Sequence, residues 1–321
     1  MKKLITAIAL ITVIVLSLFP PICEIGIPFT ESKLWLWLVL IFGFLGLYTL
    51  FLKINPWVKA IAVYSFISLF FSNAPYLSQF AYMELIGCVY LYVLLLQIED
   101  WNIVFNVLWC ILGVNIILFI MQAFNKDSVL NFGLKQTYCV LSVGNPMQAK
   151  SFVIILTALL IQRYQGIKKY LYLIYPALLF LAVIYWFDHK CWDKFCYARG
   201  GTWWESLRLA WRHPIMGSGL GSFKVLFPVL GKGAFTLEGN WFNAHNFFIQ
   251  NLFEMGIIGY CVIAGFVINL AMKCKGLLML GAFLVLYTLM FHFPDRQLST
   301  VPLLILFIVI IERNPYGHVA K

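Results

Sequence analysis

Residues 245–271 read HNFFIQNLFEMGIIGYCVIAGFVINLA, a mostly apolar run that opens with a histidine and an asparagine. A helix of about 20 apolar residues is long enough to cross the hydrocarbon core of a bilayer. Because lipid offers no hydrogen bonds to the backbone, an open chain crosses it only as a helix. The stretch therefore predicts a membrane-spanning helix whose first residues lie at the membrane surface.

The rest of the chain repeats this pattern. Of its 321 residues 62% are hydrophobic and only 11% are charged, whereas a soluble domain carries about 25% charged residues. About ten apolar runs predict an all-α polytopic membrane protein. The predicted helices are 4–22, 34–52, 57–73, 80–97, 102–124, 147–163, 170–187, 246–271, 276–293 and 298–311. No small-residue cleavage site follows the first run, so we expect a retained helix and not a signal peptide.

The basic residues of the short loops predict the orientation. With the N-terminus in the cytoplasm, that side carries Lys2, Lys3, Lys53, Lys59, Arg163, Lys168, Lys169, Lys273, Lys275, Arg313 and Lys321. The other side carries only Lys33, Lys126, Lys135, Lys150 and Arg296. Both termini are therefore predicted to be cytoplasmic. One membrane domain results, with helices in 1–187, an outer loop at 188–245 and further helices in 246–321.

The net charge of +10 follows from this asymmetry. No clustered basic face with interleaved aromatic residues indicates a nucleic-acid partner. In the outer loop, Cys191 and Cys196 either form a disulfide or stay free, since an oxidising compartment would permit the bond. A zinc site is not predicted, because no His or Cys pair at zinc-ligand spacing accompanies these two cysteines.

Residues 202–213 of the outer loop, TWWESLRLAWRH, have the pattern of a capped helix. Thr202 is the expected N-cap, Glu205 would complete a capping box, and Pro214 would stop the helix. An apolar side and an arginine side predict a helix at the membrane interface. The apolar side holds Trp204, Leu207 and Trp211, and the other side holds Arg208 and Arg212. The arginines either face solvent and headgroups or bind an anion.

Gly217, Gly219 and Gly221 follow this helix at alternate positions. A dinucleotide site needs different glycine spacing and a preceding strand, so a nucleotide site is excluded. The glycines instead predict tight turns, or a loop that re-enters the helix bundle.

One face of the 246–271 helix is predicted to carry the site histidine and two glycines. At helical spacing that stripe is His245, Phe248, Ile249, Leu252, Gly256 and Gly259. The glycines would let another helix approach closely. Glu254 on the opposite face, and Glu84 in the fourth helix, are each either a buried pair or part of a proton path.

Under this topology, several basic residues lie on the outward-facing side of the membrane that the chain crosses. They are Lys135, Lys150 and Arg296, together with His245, Arg208 and Arg212. Arginine binds phosphate oxygens through two parallel hydrogen bonds, so the arrangement suits an anionic headgroup such as a diphosphate.

Three stretches resemble the O-antigen ligase and O-antigen polymerase superfamily of bacterial membrane glycosyltransferases. HNFFIQNLFEMGIIG at 245–259 is similar to the family's His-Asn pattern with two later glycines. The stretch 199–223, RGGTWWESLRLAWRHPIMGSGLGSF, resembles its Arg-x-x-x-Trp, helix and glycine-rich turn. VGNPMQA at 143–149 resembles its Gly-Asn-Pro element, although Lys135 stands where the family has an arginine upstream.

The resemblance implies a metal-independent, inverting glycosyltransferase without a cofactor, in the bacterial inner membrane. The donor would be an undecaprenyl-diphosphate-linked glycan, and the acceptor would be lipid A core or a growing polysaccharide. His245 would be the base for the acceptor hydroxyl, and Arg199 would bind the diphosphate leaving group. Asn246 would cap or orient the helix. The alternative is a lipid-linked glycan transporter or an envelope-assembly scaffold without catalysis.

Overall fold

The computed structural model describes residues 7, 8, 10–14, 54–123, 146–161, 200–231, 243–274, 277–291 and 300–313. Within these ranges the chain is helical and has no strand. The helices that we number are α1 Pro56–Ser68, α2 Pro75–Leu95, α3 Trp101–Ala123, α4 Pro146–Ile161, α5 at 200–210, α6 Phe223–Leu230, α7 Phe247–Lys273, α8 Leu277–Phe291 and α9 Val301–Arg313.

The predicted apolar runs coincide with these helices wherever the structure describes them. Seven of the predictions are confirmed by α1 to α4 and α7 to α9. Of the run 4–22 only residues 7, 8 and 10–14 are described, and they are helical. The runs 34–52 and 170–187 lie outside the described residues.

The helix starts follow from local chemistry. Asn55 caps α1 by accepting a hydrogen bond from the Trp57 amide at 2.9 Å, and Pro56 occupies the first helical position. Proline is favoured there because its missing N–H would have no partner inside the helix. In the same way, the Asp100 carboxylate accepts from the Asn102 amide at 2.9 Å at the start of α3.

Three of the described helices are long and apolar enough to cross a membrane. They are Pro75–Leu95, Trp101–Leu118 and Phe247–Lys273. Shorter apolar helices cover Pro56–Phe71, Ser151–Leu160 and Leu278–Met290. Large apolar side chains such as Phe70, 75% exposed, and Phe283, 63% exposed, lie on the outer surface of the bundle. Such a surface is suited to lipid, because contiguous exposed apolar area is rare on soluble proteins.

The centre of the bundle is α4. Every side chain from Ser151 to Leu160 is buried, and α3, α8 and α9 pack around it. The α1 helix packs instead along α7, and α9 joins the two groups through its contacts with α2 and α7. This arrangement leaves the beginning of α7 next to α5 and α6, where the candidate site lies.

The helix α5 differs at its N-terminus from the helix predicted at 202–213. Residues 200 and 201 are already helical, so Thr202 is not the cap; it is buried, and its carbonyl accepts from the Ser206 hydroxyl at 2.6 Å. Glu205 binds Arg208 instead of closing a capping box. The sequence does not predict that the helix includes the glycines at 200 and 201, because glycine disfavours helices. The short helix α6 was also not predicted.

Candidate active site

The helix α7 is broken at Gly256, where φ is 63° and ψ is −169°. The loop at residues 213–222, called the glycine loop below, fills the break. The Ile257 amide, which would donate to Phe253 in a continuous helix, donates to the Pro214 carbonyl at 2.8 Å. The freed Phe253 carbonyl accepts from the Ser218 amide at 2.9 Å. The loop therefore takes over hydrogen bonds that the break removes, which buried backbone requires.

Two further carbonyls at the break find new donors. The Glu254 carbonyl accepts from the Gly219 amide at 2.8 Å. The Met255 carbonyl accepts from the Tyr64 hydroxyl of α1 at 2.5 Å. Since the break is held from the glycine loop on one side and from α1 on the other, it is a built feature of the fold.

The glycines of the loop adopt conformations that side chains disfavour. Gly217, Gly219 and Gly221 have φ of 74°, 105° and 73°. A Cβ on Gly219 would lie 2.0 Å from the Ser72 hydroxyl oxygen, and one on Gly221 would lie 2.7 Å from the Ala81 Cβ. The prediction of tight turns and re-entry into the bundle is confirmed.

The predicted stripe of α7 is wrong in two places. His245 precedes the helix, because Asn246 is the N-cap and its side chain accepts from the Ile249 amide at 3.0 Å. Gly256 leaves helical register at the break and faces the glycine loop, not a neighbouring helix. For Gly259 the expected close approach is confirmed, because a Cβ there would lie 2.5 Å from the Tyr64 ring.

His245 has a φ of 52° and is the one non-glycine residue with positive φ in the described part of the chain. Histidine is among the residues that tolerate this region, at a cost of about 1–3 kcal/mol. The residue before it, Ala244, is fully buried, and its carbonyl accepts from the Trp203 indole at 2.8 Å. The chain on both sides of His245 is thus anchored, by Trp203 of α5 and by the Asn246 cap.

Glu254 is fully buried and is held by hydrogen bonds on both carboxylate oxygens. One accepts from the Gly221 amide at 2.8 Å, and the other accepts from the Gln250 side chain at 3.1 Å. Both oxygens of this buried acid therefore have hydrogen-bond partners within the protein, and its role as a buried pair or as part of a proton path stays a prediction. The sequence assigned no role to Trp203 or Gln250. Trp203 is the tryptophan of the Arg-x-x-x-Trp resemblance at 199–203, and Gln250 and Glu254 are two polar residues one helical turn apart in an apolar run.

The two arginines of α5 differ in their surroundings. Arg208 binds the buried Glu205 through Nε at 2.7 Å and Nη2 at 2.5 Å. The hydrogen bond to Glu205 raises the pKa of Arg208, so its charge persists. Arg212 is exposed beyond the end of the helix. Trp204 and Trp211 are 73% and 75% exposed, and the buried side of α5 packs through Leu209 and Ala210 against Phe223 and Phe253.

An apolar cavity of about 290 Å³ runs between α1, α2, α7, α8 and α9. Its lining reaches from Phe247, at the start of α7, to Cys274 at its end. Glu84, Lys224 and Asn251 contribute the charged and amide groups to a wall that is otherwise mostly hydrocarbon. A mostly apolar lining with a few polar groups suits a ligand, or part of a ligand, that is apolar and has a polar end.

The structure brings together only part of the predicted site. His245 and Asn246 lie at the beginning of α7, which contacts α5 through the hydrogen bond from Trp203 to Ala244. Arg208 lies on α5 and binds Glu205, and Arg212 is exposed just past the end of that helix. Arg199, Lys135 and Arg296, and the cysteines at 191 and 196, lie outside the described residues. Of Lys150 the structure describes only the backbone, within α4. Among the described residues, no three His, Cys, Asp or Glu side chains converge in a way that could hold a metal ion.

Comparison with protein-family profiles and with curated proteins gives no match to this chain.

Proposed function

We propose that the protein is a metal-independent membrane glycosyltransferase that uses a polyprenyl-diphosphate-linked glycan and resembles O-antigen ligases and polymerases. The observation that carries the proposal is the strained backbone of His245 at the mouth of a broken helix. A folded protein retains such strain only where the surrounding structure fixes it, and such positions cluster at functional sites. Trp203 and Asn246 supply that fixation here.

In the proposed reaction, an acceptor hydroxyl attacks the anomeric carbon of the lipid-linked sugar. The bond between that carbon and the diphosphate oxygen breaks, and the diphosphate leaves with the electron pair. The imidazole of His245 takes the hydroxyl proton as the new glycosidic bond forms, a role suited to a group that titrates near neutral pH. Attack from the side opposite the leaving group inverts the anomeric configuration.

Arginine is the proposed counter-charge for the diphosphate. Arg199 precedes Gly200 in the sequence, and α5 begins within the same stretch, where Trp203 meets the residue before His245. Guanidinium groups stabilise negative charge that develops on phosphate oxygens in the transition state. The exposed Arg212 would add to this field at the membrane surface, and Lys135, Lys150 and Arg296 remain proposed contributors.

The apolar cavity beside α7 supports a lipid-linked donor. Its lining begins at Phe247, two residues after His245, and continues along α7 for most of the length of that helix. A polyprenyl chain in this cavity would leave its diphosphate near the start of α7. Lipid A core or a growing polysaccharide is the proposed acceptor, approaching from the outer face of the inner membrane.

Transfer by the purified protein, in a chelator and with an undecaprenyl-diphosphate glycan as donor, tests the proposal. We expect wild type to transfer, and His245→Ala and Arg199→Ala to lose transfer by about a hundredfold or more. His213→Ala is the matched histidine control, because His213 is exposed in the glycine loop. Arg199→Lys keeps the charge but not the paired hydrogen bonds, and should retain an intermediate rate.

Retention of transfer in both alanine variants would remove His245 and Arg199 from the mechanism. Donor binding without transfer to any acceptor would instead favour the transporter or scaffold alternative. The acceptor that is used separates a ligase, which takes lipid A core, from a polymerase, which takes another glycan chain.

The proposed orientation is tested by fusions to a phosphatase that folds only in an oxidising compartment. Fusion after His213 should give phosphatase activity, and fusion after Arg313 should give none. The reverse pattern would place the start of α7 on the cytoplasmic side and contradict an outward-facing site.

A further inference from the structure

A chain of three buried hydrogen bonds joins the glycine loop to the residue before His245. The Ala244 amide donates to Gln250 Oε1 at 3.1 Å, and Gln250 Nε2 donates to Glu254 Oε1 at 3.1 Å. The Gly221 amide donates to Glu254 Oε2 at 2.8 Å. Ala244, Gln250, Gly221 and Glu254 are all buried, so water does not compete for these groups.

The direction of each bond in this chain is fixed by the backbone. Amide N–H groups only donate, so Gln250 must turn its oxygen to Ala244 and its nitrogen to Glu254. Each Glu254 side-chain oxygen therefore accepts a hydrogen bond, one from Gly221 and one from Gln250. A side chain that puts a donor in place of either oxygen would face another donor at Gly221 or at Gln250.

The other face of the same backbone is held by α5. Trp203 donates to the Ala244 carbonyl, which belongs to the peptide plane that leads into His245. A change in the φ of His245 would rotate that peptide plane relative to Asn246, the N-cap of α7. Trp203 of α5 and Gln250 of α7 hold Ala244 from two sides, and these two contacts fix the backbone that leads into His245 with its φ of 52°.

We infer that Gln250, Glu254 and Trp203 are positioning residues for His245, and that they couple its placement to the seating of the glycine loop. The catalytic consequence of this inference rests on the proposed function, whereas the contacts themselves require no substrate. Gln250 and Glu254 are not proposed to contact the reacting atoms. They would act on His245 through the Ala244 backbone.

The test is the NMR signal of the His245 imidazole in protein labelled with [¹³Cε1]histidine. The chain has 5 histidines, and His245→Gln assigns the signal by its loss. The variants are Gln250→Leu and Glu254→Gln, each close in volume to the native residue, and Trp203→Phe, which keeps an aromatic ring. Asn115→Leu is the control: it removes a buried side-chain hydrogen bond of 2.8 Å to the Ile111 carbonyl, in α3 and away from this chain of contacts.

We expect the His245 signal to move in all three variants and to stay in place in Asn115→Leu, with the other histidine signals unchanged. Transfer by the three variants should show kcat lowered about tenfold to a hundredfold with the donor KM nearly unchanged, the effect of a misplaced group. Trp203→Phe keeps an aromatic ring at this position and removes the indole donor, so it reports on the contact even where Glu254→Gln does not fold.

An unmoved His245 signal in folded Trp203→Phe and Gln250→Leu would overturn the inference, whatever the transfer rates. If wild type transfers nothing but the signal moves as expected, the proposed function fails and the positioning contacts stand. A fall in transfer with donor KM raised and kcat unchanged would also contradict a positioning role.

Discussion

Gly217 and Gly256 face each other across the contact between the glycine loop and the break in α7. A Cβ on Gly217 would lie 2.4 Å from the Gly256 nitrogen, and a Cβ on Gly256 would lie 2.5 Å from the Gly217 nitrogen. Both residues also have positive φ. Two backbones that approach this closely leave no room for a side chain on either, so each glycine is required by the other.

Gly217→Ala and Gly256→Ala should therefore each destabilise the fold by about 3 kcal/mol or more, through overpacking and an unfavourable φ. Gly113→Ala is the matched control, because nothing lies within 4 Å of a Cβ at that position of α3. Melting in detergent, followed by tryptophan fluorescence, measures the difference. Equal melting temperatures for Gly256→Ala and Gly113→Ala would contradict the contact described above.

Tyr64→Phe tests the support of the break from α1. The hydroxyl donates to the Met255 carbonyl, one residue before the break at Gly256. Removal of the hydroxyl leaves that buried acceptor without this donor and should cost about 1–3 kcal/mol. The exposed Tyr76→Phe, in α2, should melt like wild type. Equal melting temperatures for Tyr64→Phe and Tyr76→Phe would show that the hydrogen bond from Tyr64 to the Met255 carbonyl does not stabilise the fold.

The positions of the apolar helices could be predicted from the sequence because a bilayer requires long apolar runs, and such runs are local. The break at Gly256 could not be predicted in this way. The Gly256 stretch has the spacing of a helix-packing face, and its partner, the glycine loop, lies about 40 residues earlier in the chain. Only the alternate glycines at 217, 219 and 221 indicated re-entry, and they did not say into which helix.

The same distinction applies to the site. His245 and Asn246 stood out because polar residues at the start of an apolar helix are a local signal. Gln250 did not, because a glutamine in a helix has many uses, and Trp203 stood out only as the tryptophan of the Arg-x-x-x-Trp resemblance. Their roles follow from which backbone groups they contact, and the Trp203 contact joins residues 41 positions apart in the chain.

Arg208 and Arg212 are expected to have different roles although both lie on α5. Arg208→Ala should lower the melting temperature, because it removes the partner of the buried Glu205. Arg212→Ala should melt like wild type but raise the KM for the diphosphate donor about tenfold, the effect of losing one charged hydrogen bond. Thermal melts beside donor titrations separate the two. A donor KM raised by Arg208→Ala alone, without loss of stability, would reverse the assignment.

At the opposite end of the bundle, Glu312 is the acceptor that ties four helices together. Its carboxylate accepts hydrogen bonds from the Tyr92 hydroxyl of α2 and from the side chain of Asn55, the cap of α1. Lys273, the last residue of α7, lies 3.8 Å from the same carboxylate. Glu312→Ala removes this shared acceptor, so the Asn55 side chain and the Tyr92 hydroxyl each lose a hydrogen bond.

We expect Glu312→Ala to destabilise the fold by about 2–4 kcal/mol, since each lost buried bond costs about 1–3 kcal/mol and the effects overlap. Glu312→Gln keeps one acceptor oxygen and should fall between alanine and wild type. Asp100→Asn is the control, because asparagine caps a helix as well as aspartate does. Because the site histidine lies at the other end of α7, transfer by folded Glu312→Gln should be unchanged. A loss of transfer there without loss of stability would mean that this end also takes part in the reaction.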